Sequence, residues 1–303
     1  MKESIRQYMQ VGTISFMSYP AIMKGDSPET ERILKRLIED PYFDALEISW
    51  IKDAQARARI ARYLAQANMT VCYGAQPRFL TTGYNINDLD EEKRTVALNS
   101  LKEGIDEAYE LGAVGLAFLS GPYQEETKEE SFQALLDSTR EACAYAKSKG
   151  GLRIELEIFD YDVDKKSLIG PTPLAKRFAE EVRKDYDNFG LLVDLSHFPL
   201  IRESVEESIL PIRDYITHAH IGNAVVLPDC DGYGDQHPRF GFPNSANGLE
   251  DAVSYLRTLL AAGFLNTERP PVMSFEVKPF GDEEPDMVLS GCKRFLEKAW
   301  AQV

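Results

Sequence analysis

Acidic and histidine residues suited to metal binding recur at the ends of apolar runs in the second half of this 303-residue chain. All four histidines fall between positions 197 and 237. The residues that close four of the runs are Glu157, Asp194, His220 and Glu276. Carboxylates combined with an imidazole suit Mn²⁺, Mg²⁺ or Co²⁺ better than they suit the zinc of a thiolate-rich site. The pattern predicts a metalloenzyme that binds one divalent cation, with Mn²⁺ as the first candidate.

The apolar runs predict buried parallel strands, because each is short and is followed by a longer amphipathic segment. The predicted strands are 11–17, 45–50, 70–75, 115–119, 152–159, 190–194, 216–221 and 271–276. The predicted helices are 28–39, 53–67, 90–111, 127–149, 173–186, 203–213, 248–263 and 284–301. Eight strand–helix units in a chain of this length predict a (β/α)₈ barrel, whose strands all end at one catalytic face. That geometry would bring the four metal-binding candidates together.

A doubly wound sheet uses the same alternation of strands and helices and is the second possibility. Against it, no Gly-x-Gly-x-x-Gly motif follows the first strand, and polar residues end strands along most of the chain. We therefore predict an α/β protein with a single (β/α)₈ TIM-barrel domain over residues 1–303. Its two long irregular segments, 76–89 and 222–247, are predicted to be loops on the catalytic face, since loops of this length in compact domains are usually functional.

The composition limits the possible partners and the cellular compartment. A formal net charge of −15 argues against nucleic acid and anionic membranes as partners, because their phosphates require clustered lysine and arginine. The first residues lack the features of a signal peptide, and no apolar run approaches the roughly 18 residues of a membrane span. The four cysteines are scattered without a C-x-x-C spacing, as is typical of a reduced protein. These features predict a cytoplasmic enzyme.

Over essentially its whole length the chain resembles the xylose isomerase-like barrel superfamily, which includes sugar isomerases, ketose 3-epimerases, inosose dehydratases and endonuclease IV. The motifs that carry the resemblance are Glu-Leu-Glu-Ile-Phe-Asp at 155–160, Val-Asp-Leu-Ser-His at 193–197, His-Ala-His-Ile-Gly-Asn at 218–223 and Ser-Phe-Glu-Val-Lys-Pro at 274–279. The resemblance implies that Glu157, Asp194, His220 and Glu276 bind one divalent cation. It also implies that the two glutamates move the substrate proton and that His197 contacts the substrate.

This chemistry requires such residues. Removing a proton beside a ketone leaves an enediolate, whose negative oxygen needs a cation or a hydrogen-bond donor. One carboxylate takes the proton and a second acid can return it.

Several of these residues have alternative interpretations. Glu155 lies two positions before Glu157, faces the same side and is a rival ligand. His218 is interpreted as a hydrogen-bonded core histidine, with support of the metal ligands as the weaker option. Glu47, at the end of the second strand, is a candidate for binding a substrate hydroxyl or for a structural ion pair. Gln76 is a candidate for a sugar contact, and so, with weaker grounds, are Tyr73 and Arg78.

The loop after His220 departs from the ketose-epimerase pattern. Where the epimerases have an arginine, this chain has Val225, Val226 and Leu227. His237 and Arg239 are candidates to replace it, by stabilising an oxyanion or by donating a proton to a leaving group. A loop that only orders a subunit interface is the alternative interpretation.

The style of this loop is similar to that of the barrel subunit of bacterial C-glycoside deglycosidases. This resemblance implies enolisation of a 3-oxo-glycoside, expulsion of the aglycone, a smaller β-rich partner subunit and assembly into an oligomer.

Three classes of function follow. The first is a metal-dependent enzyme that abstracts a proton beside the carbonyl of a sugar or an oxidised glycoside. Within this class, the first hypothesis is a lyase acting on 3-oxo-C-glycosides, and the alternative is an isomerase or 3-epimerase acting on free ketoses. The second, a DNA-repair endonuclease, requires more histidines and a basic surface. The third is a metal-free sugar-binding barrel, against which the complete set of ligand candidates argues.

Overall fold

Eight parallel strands close into a barrel in their order along the chain. A computed structural model describes residues 3–24 and 27–303. The strands are β1 (Gln10–Ile14), β2 (Ala45–Ile48), β3 (Thr70–Gly74), β4 (Gly115–Leu119), β5 (Arg153–Glu157), β6 (Phe189–Asp194), β7 (Ile216–Gly222) and β8 (Val272–Glu276). Strand β1 pairs with both β2 and β8, which closes the ring. The predicted barrel fold is confirmed, and the doubly wound alternative is excluded.

A helix follows each strand and packs on the outside of the barrel. These helices are α1 (Pro28–Glu39), α2 (Ala54–Gln66), α3 (Glu91–Leu111), α4 (Lys128–Lys149), α5 (Thr172–Arg183), α6 (Val205–Ile209), α7 (Leu249–Ala261) and α8 (Pro285–Trp300). The Ser27 hydroxyl accepts a hydrogen bond from the Thr30 N–H at 3.2 Å and so caps α1. Gly112 ends α3 in the left-handed region at φ 73°, a conformation that glycine adopts without strain.

Two features of the mouth differ from the prediction. Short helices at Ser15–Ser18, Gln76–Leu80 and Phe198–Ile201 begin shortly after the ends of strands β1, β3 and β6, so the first strand is shorter than predicted and the segment 76–89 begins as helix. The single helix predicted over 203–213 is instead α6 followed by a 3₁₀ turn at Leu210–Tyr215. Pro211 lacks an N–H for the α-helical ladder, which accounts for the change at that point.

The core lies between the barrel and its helices, where large apolar side chains are buried. The barrel interior is different, because acids and histidines fill much of it. A small separate apolar cluster is formed by Ala45, Cys72 and Val272. Among the described helices, none has the length and apolar character that a membrane span needs. Acidic and histidine side chains thus occupy the inside of the barrel, and apolar side chains pack around its outside.

Candidate functional site at the barrel mouth

The four predicted ligands come together at the C-terminal ends of the strands. Glu157, Asp194 and Glu276 are the last residues of β5, β6 and β8, and His220 lies beside Asp194 in the register of β7. Each residue offers one ligand atom, and these four atoms lie within 4.8 Å of one another. All four side chains are buried.

The donor set fits a divalent cation. Two atoms that each lie about 2.1 Å from one ion are about 3.0–4.2 Å apart, so small side-chain shifts complete the shell. Glu157 Oε1 is buried, and the polar atom beside it, His220 Nδ1 at 3.3 Å, belongs to another ligand candidate, as expected where one ion would bind both. A Cβ at Gly222 would lie 3.0 Å from Asp194 Oδ2, so glycine leaves that carboxylate its place.

Charge compensation holds these buried groups in their ionisation states. Burial alone would lower the pKa of His220, but the carboxylates of Glu47 and Glu276 raise it well above the ordinary value. Burial raises the pKa of Glu276 to about 7, against the opposing effect of His237. Burial opposes ionisation of Asp194 as well, yet His197 and His237 keep its pKa below the ordinary value. A divalent cation bound by the three acids would add to this compensation.

The loop after β7 adds a second group of charged residues that the sequence interpretation missed in part. Asp235 Oδ1 lies 2.8 Å from His237 Nε2 and 3.1 Å from His197 Nε2. Lys165 Nζ lies 2.9 Å from Asp235 Oδ2. Burial would lower the pKa values of both histidines, but Asp235 raises them, to about 10 for His197 and about 9 for His237. The Asp-x-His spacing of 235 and 237 was the sequence signal that could have found Asp235.

This second group adjoins the predicted metal ligands. His237 Nε2 lies 3.5 Å from Glu276 Oε1, and its Nδ1 lies 3.6 Å from Asp194 Oδ2. Asp194, His197 and His237 also form a set of three ligand atoms within 4.8 Å of one another. His237 adopts a positive φ of 51°, which is uncommon for residues other than glycine. The loop therefore places the His237 imidazole beside two of the metal-ligand candidates, Asp194 and Glu276.

A cavity of about 320 Å³ opens above these groups. Its polar lining residues include Glu47, Gln76, Lys165, Asp235, Gln236, His237, Glu276 and Lys278. Its apolar lining residues include Ile14, Phe16, Met17, Pro20, Met23, Pro77, Leu80 and Phe159. Gln76 Nε2 donates to Glu157 Oε2 at 2.6 Å, so this residue orients a metal-ligand candidate as well as lining the cavity.

Arg239 is placed differently from expectation, and Glu47 forms the structural ion pair that was its alternative interpretation. The Arg239 guanidinium is not part of the cavity lining, because its Nε donates to Glu283 Oε1 at 2.7 Å and its side chain is 40% exposed. The expected His237–Arg239 pair is therefore not formed. Glu47 reaches the cavity edge, but its carboxylate lies 3.0 Å from His218 Nε2 and 3.1 Å from His220 Nε2. Its carboxylate oxygens are thus engaged by histidines.

The weaker candidates on and after β3 form a structural cluster. The Tyr73 hydroxyl donates to Glu107 Oε2 at 2.9 Å, and Arg78 Nη2 lies 2.7 Å from Glu107 Oε1. Glu107 belongs to α3, so these side chains lie between the barrel and a helix rather than in the cavity. Arg78 also stacks over Trp50, with its guanidinium carbon 4.7 Å from the ring centroid.

The sequence carries the signature of a known family. The profile of the family described as "Xylose isomerase-like TIM barrel" matches residues 38–296. The chain belongs to this family. No curated protein sequence matches it significantly.

Solved structures share the fold at low sequence identity. A D-psicose 3-epimerase from Clostridium cellulolyticum H10, solved with D-tagatose, has a TM-score of 0.67 at 16% identity, covering 97% of each chain. An L-ribulose 3-epimerase has a TM-score of 0.70 at 18% identity, covering 97% of this chain and 96% of its own. A 3-keto-D-glucoside 4-epimerase from E. coli has a TM-score of 0.64 at 16% identity, covering 97% and 99% respectively. At such identities these likenesses establish the fold.

Proposed function

We propose that the protein is a divalent-metal-dependent epimerase or isomerase that abstracts a proton beside the carbonyl of a sugar. The observation that carries the proposal is the meeting of Glu157, Asp194, His220 and Glu276 within 4.8 Å below a cavity of about 320 Å³. The three structural neighbours described above are sugar epimerases, which supports this reaction class over others on the same fold. Mn²⁺ is the proposed cation, because oxygen ligands with a single imidazole suit it.

The residues of the site would bind the cation and transfer a proton. The cation would polarise the substrate carbonyl and stabilise the charge that develops on its oxygen. Glu276 lines the cavity, and Glu157, oriented by Gln76, lies beside it in the cluster of ligand atoms. One takes the proton from the carbon beside the carbonyl, and the other returns a proton to that carbon or its neighbour.

A second candidate is cleavage of a 3-oxo-C-glycoside. His237, 3.5 Å from Glu276, favours it, because this reaction needs a donor for the leaving group. A carboxylate would remove the C2 proton beside the C3 ketone. The C1–aglycone bond would then break with its electron pair on the aglycone carbon, and His237 would protonate that carbon.

The apolar lining residues of the cavity, which include Phe16, Met17 and Leu80, would contact the aglycone. A smaller β-rich partner subunit and assembly into an oligomer belong to this second proposal.

The two candidates predict different reactions. We expect the Mn²⁺-loaded protein, incubated with free ketoses such as D-psicose or L-ribulose in D₂O, to form an epimer and to incorporate solvent deuterium. Cleavage of a 3-oxo-C-glucoside without reaction of the ketoses would favour the second candidate instead. His237→Asn should then reduce cleavage by about 100-fold or more. Absence of turnover and of deuterium exchange with both substrates contradicts both candidates and favours a metal-free binding protein.

A further inference from the structure

A chain of alternating acids and histidines runs through the barrel interior beneath the proposed metal site. On β5, Glu155 Oε2 lies 3.2 Å from His218 Nδ1. The other ring nitrogen, His218 Nε2, lies 3.0 Å from Glu47 Oε1 on β2. The same Glu47 oxygen lies 3.1 Å from His220 Nε2. All four side chains are almost completely buried.

This series of acids and histidines is held in place at the end far from the metal site, at Glu155. Glu155 Oε1 accepts from Arg153 Nε at 3.1 Å and from the Thr217 hydroxyl at 2.9 Å, so both of its oxygens are engaged. The Arg153 side chain is 39% exposed, which links the buried chain to solvent at the opposite end of β5. Gly115 on β4 makes room for this acid, because a Cβ there would lie 2.7 Å from Glu155 Oε2.

The contacts of the two ring nitrogens determine the orientation of the His220 ring. Its Nε2 faces Glu47, while its Nδ1 lies 2.7 Å from Glu276 Oε2 and 3.3 Å from Glu157 Oε1. Carboxylates thus lie beside both ring nitrogens, but Glu276 and Glu157 are proposed metal ligands and Glu47 is not. With a cation bound to those ligands, Glu47 would keep the proton on Nε2 and leave the Nδ1 lone pair for the cation. Glu47 can do this only while its own carboxylate is held in place, and His218 is the residue that holds it.

We propose that His218 is a positioning residue which, clamped between Glu155 and Glu47, fixes the ring orientation of His220 and thereby sets cation affinity. The part concerning cation affinity rests on the proposed function, whereas the part concerning ring orientation does not. None of Glu155, His218 or Glu47 needs to bind the cation for this role. Glu155, the rival ligand in the sequence, is thus assigned to the support of the site, two residues below Glu157.

Two variants test the proposal from opposite sides of His218. His218→Phe keeps an aromatic ring but removes the hydrogen bond to Glu155 and the ion-pair contact with Glu47. Glu155→Gln keeps the shape of the anchor and removes its charge, and it guards against failure of the first variant to fold. Both should weaken Mn²⁺ binding by about 10–100-fold in titration calorimetry, the usual effect of removing an outer partner of a metal ligand. The matched control is Glu107→Gln, the same substitution in an ion pair with Arg78 outside the barrel, which should leave the Kd within about twofold of the wild-type value.

A second readout needs no cation. In the metal-free protein, the His220 Nε2–H donated to Glu47 should give a downfield proton NMR signal that exchanges slowly with solvent, assigned by its loss in His220→Asn. We expect this signal to shift or broaden in both test variants and to persist in Glu107→Gln. A wild-type protein that binds no Mn²⁺ overturns the proposed function and the affinity part, and the NMR signal then decides the orientation part. An unchanged His220 signal in Glu155→Gln and in folded His218→Phe overturns the orientation part, and an unchanged Kd overturns the affinity part.

Discussion

Replacing Glu276 by glutamine is expected to reduce turnover of the ketose substrate by about 10⁴-fold, the upper end of what a positioned acid or base contributes. The substitution keeps the side chain's shape but removes its charge and its ability to exchange a proton. Glu276 sits at the cavity floor against His220 Nδ1, 2.7 Å away, so its loss affects both proton transfer and the metal-ligand set. The measurement is epimer formation together with deuterium incorporation from D₂O.

The control for this prediction is again Glu107→Gln, which should retain turnover within about threefold of wild type because Glu107 lies on α3, outside the cavity. Retention of more than about a tenth of wild-type turnover by Glu276→Gln would contradict the role given to Glu276, since general acid–base groups contribute at least 100-fold.

Gly222→Ala is expected to remove the stabilisation that Mn²⁺ gives to the folded protein. At 100 times its Kd, a ligand that binds only the native state stabilises it by about 2.7 kcal/mol, which corresponds to a rise in Tm of about 5 °C for a chain of this size. The added Cβ would lie 3.0 Å from Asp194 Oδ2 and 2.9 Å from the Glu276 carbonyl oxygen, so the carboxylate must move. In differential scanning calorimetry, wild-type protein should show the rise and lose it with EDTA, while the variant should show little or none.

Gly291→Ala in α8 is the matched control, because no heavy atom lies within 4 Å of the Cβ that it would add. It should keep the full response to Mn²⁺. A normal Mn²⁺ response in Gly222→Ala would show that Asp194 is not needed where the structure places it.

The sequence predicted the parts of the site that strand ends determine. Glu157, Asp194 and Glu276 each end a short apolar run, and a closed parallel barrel makes all such ends neighbours. The period of two along a strand puts Glu155 and Glu157 on the same side, so pattern alone left both open as ligands. Their depth in the barrel separates them: Glu155 meets His218, whereas Glu157 reaches the cluster of ligand atoms.

The remaining contacts depend on which distant residue lies opposite, and a single sequence does not reveal that. Arg239 follows His237 by two residues, yet Glu283, from the segment before α8, draws its side chain away from the cavity. Asp235 was overlooked because it lies in an irregular loop, where no periodic pattern shows which way a side chain points. The sequence around Glu47, on β2, does not indicate its two histidine partners, because they belong to β7, a distant strand of the barrel.

The central claim is that one divalent cation is bound by Glu157, Asp194, His220 and Glu276, and a crystal structure grown with Mn²⁺ tests it most directly. The anomalous difference map should show one strong peak at about 2.0–2.3 Å from an oxygen of each acid and from Nδ1 of His220. A map from Mn²⁺-saturated crystals with no peak among these four side chains, or with the cation held elsewhere in the barrel, would contradict the account.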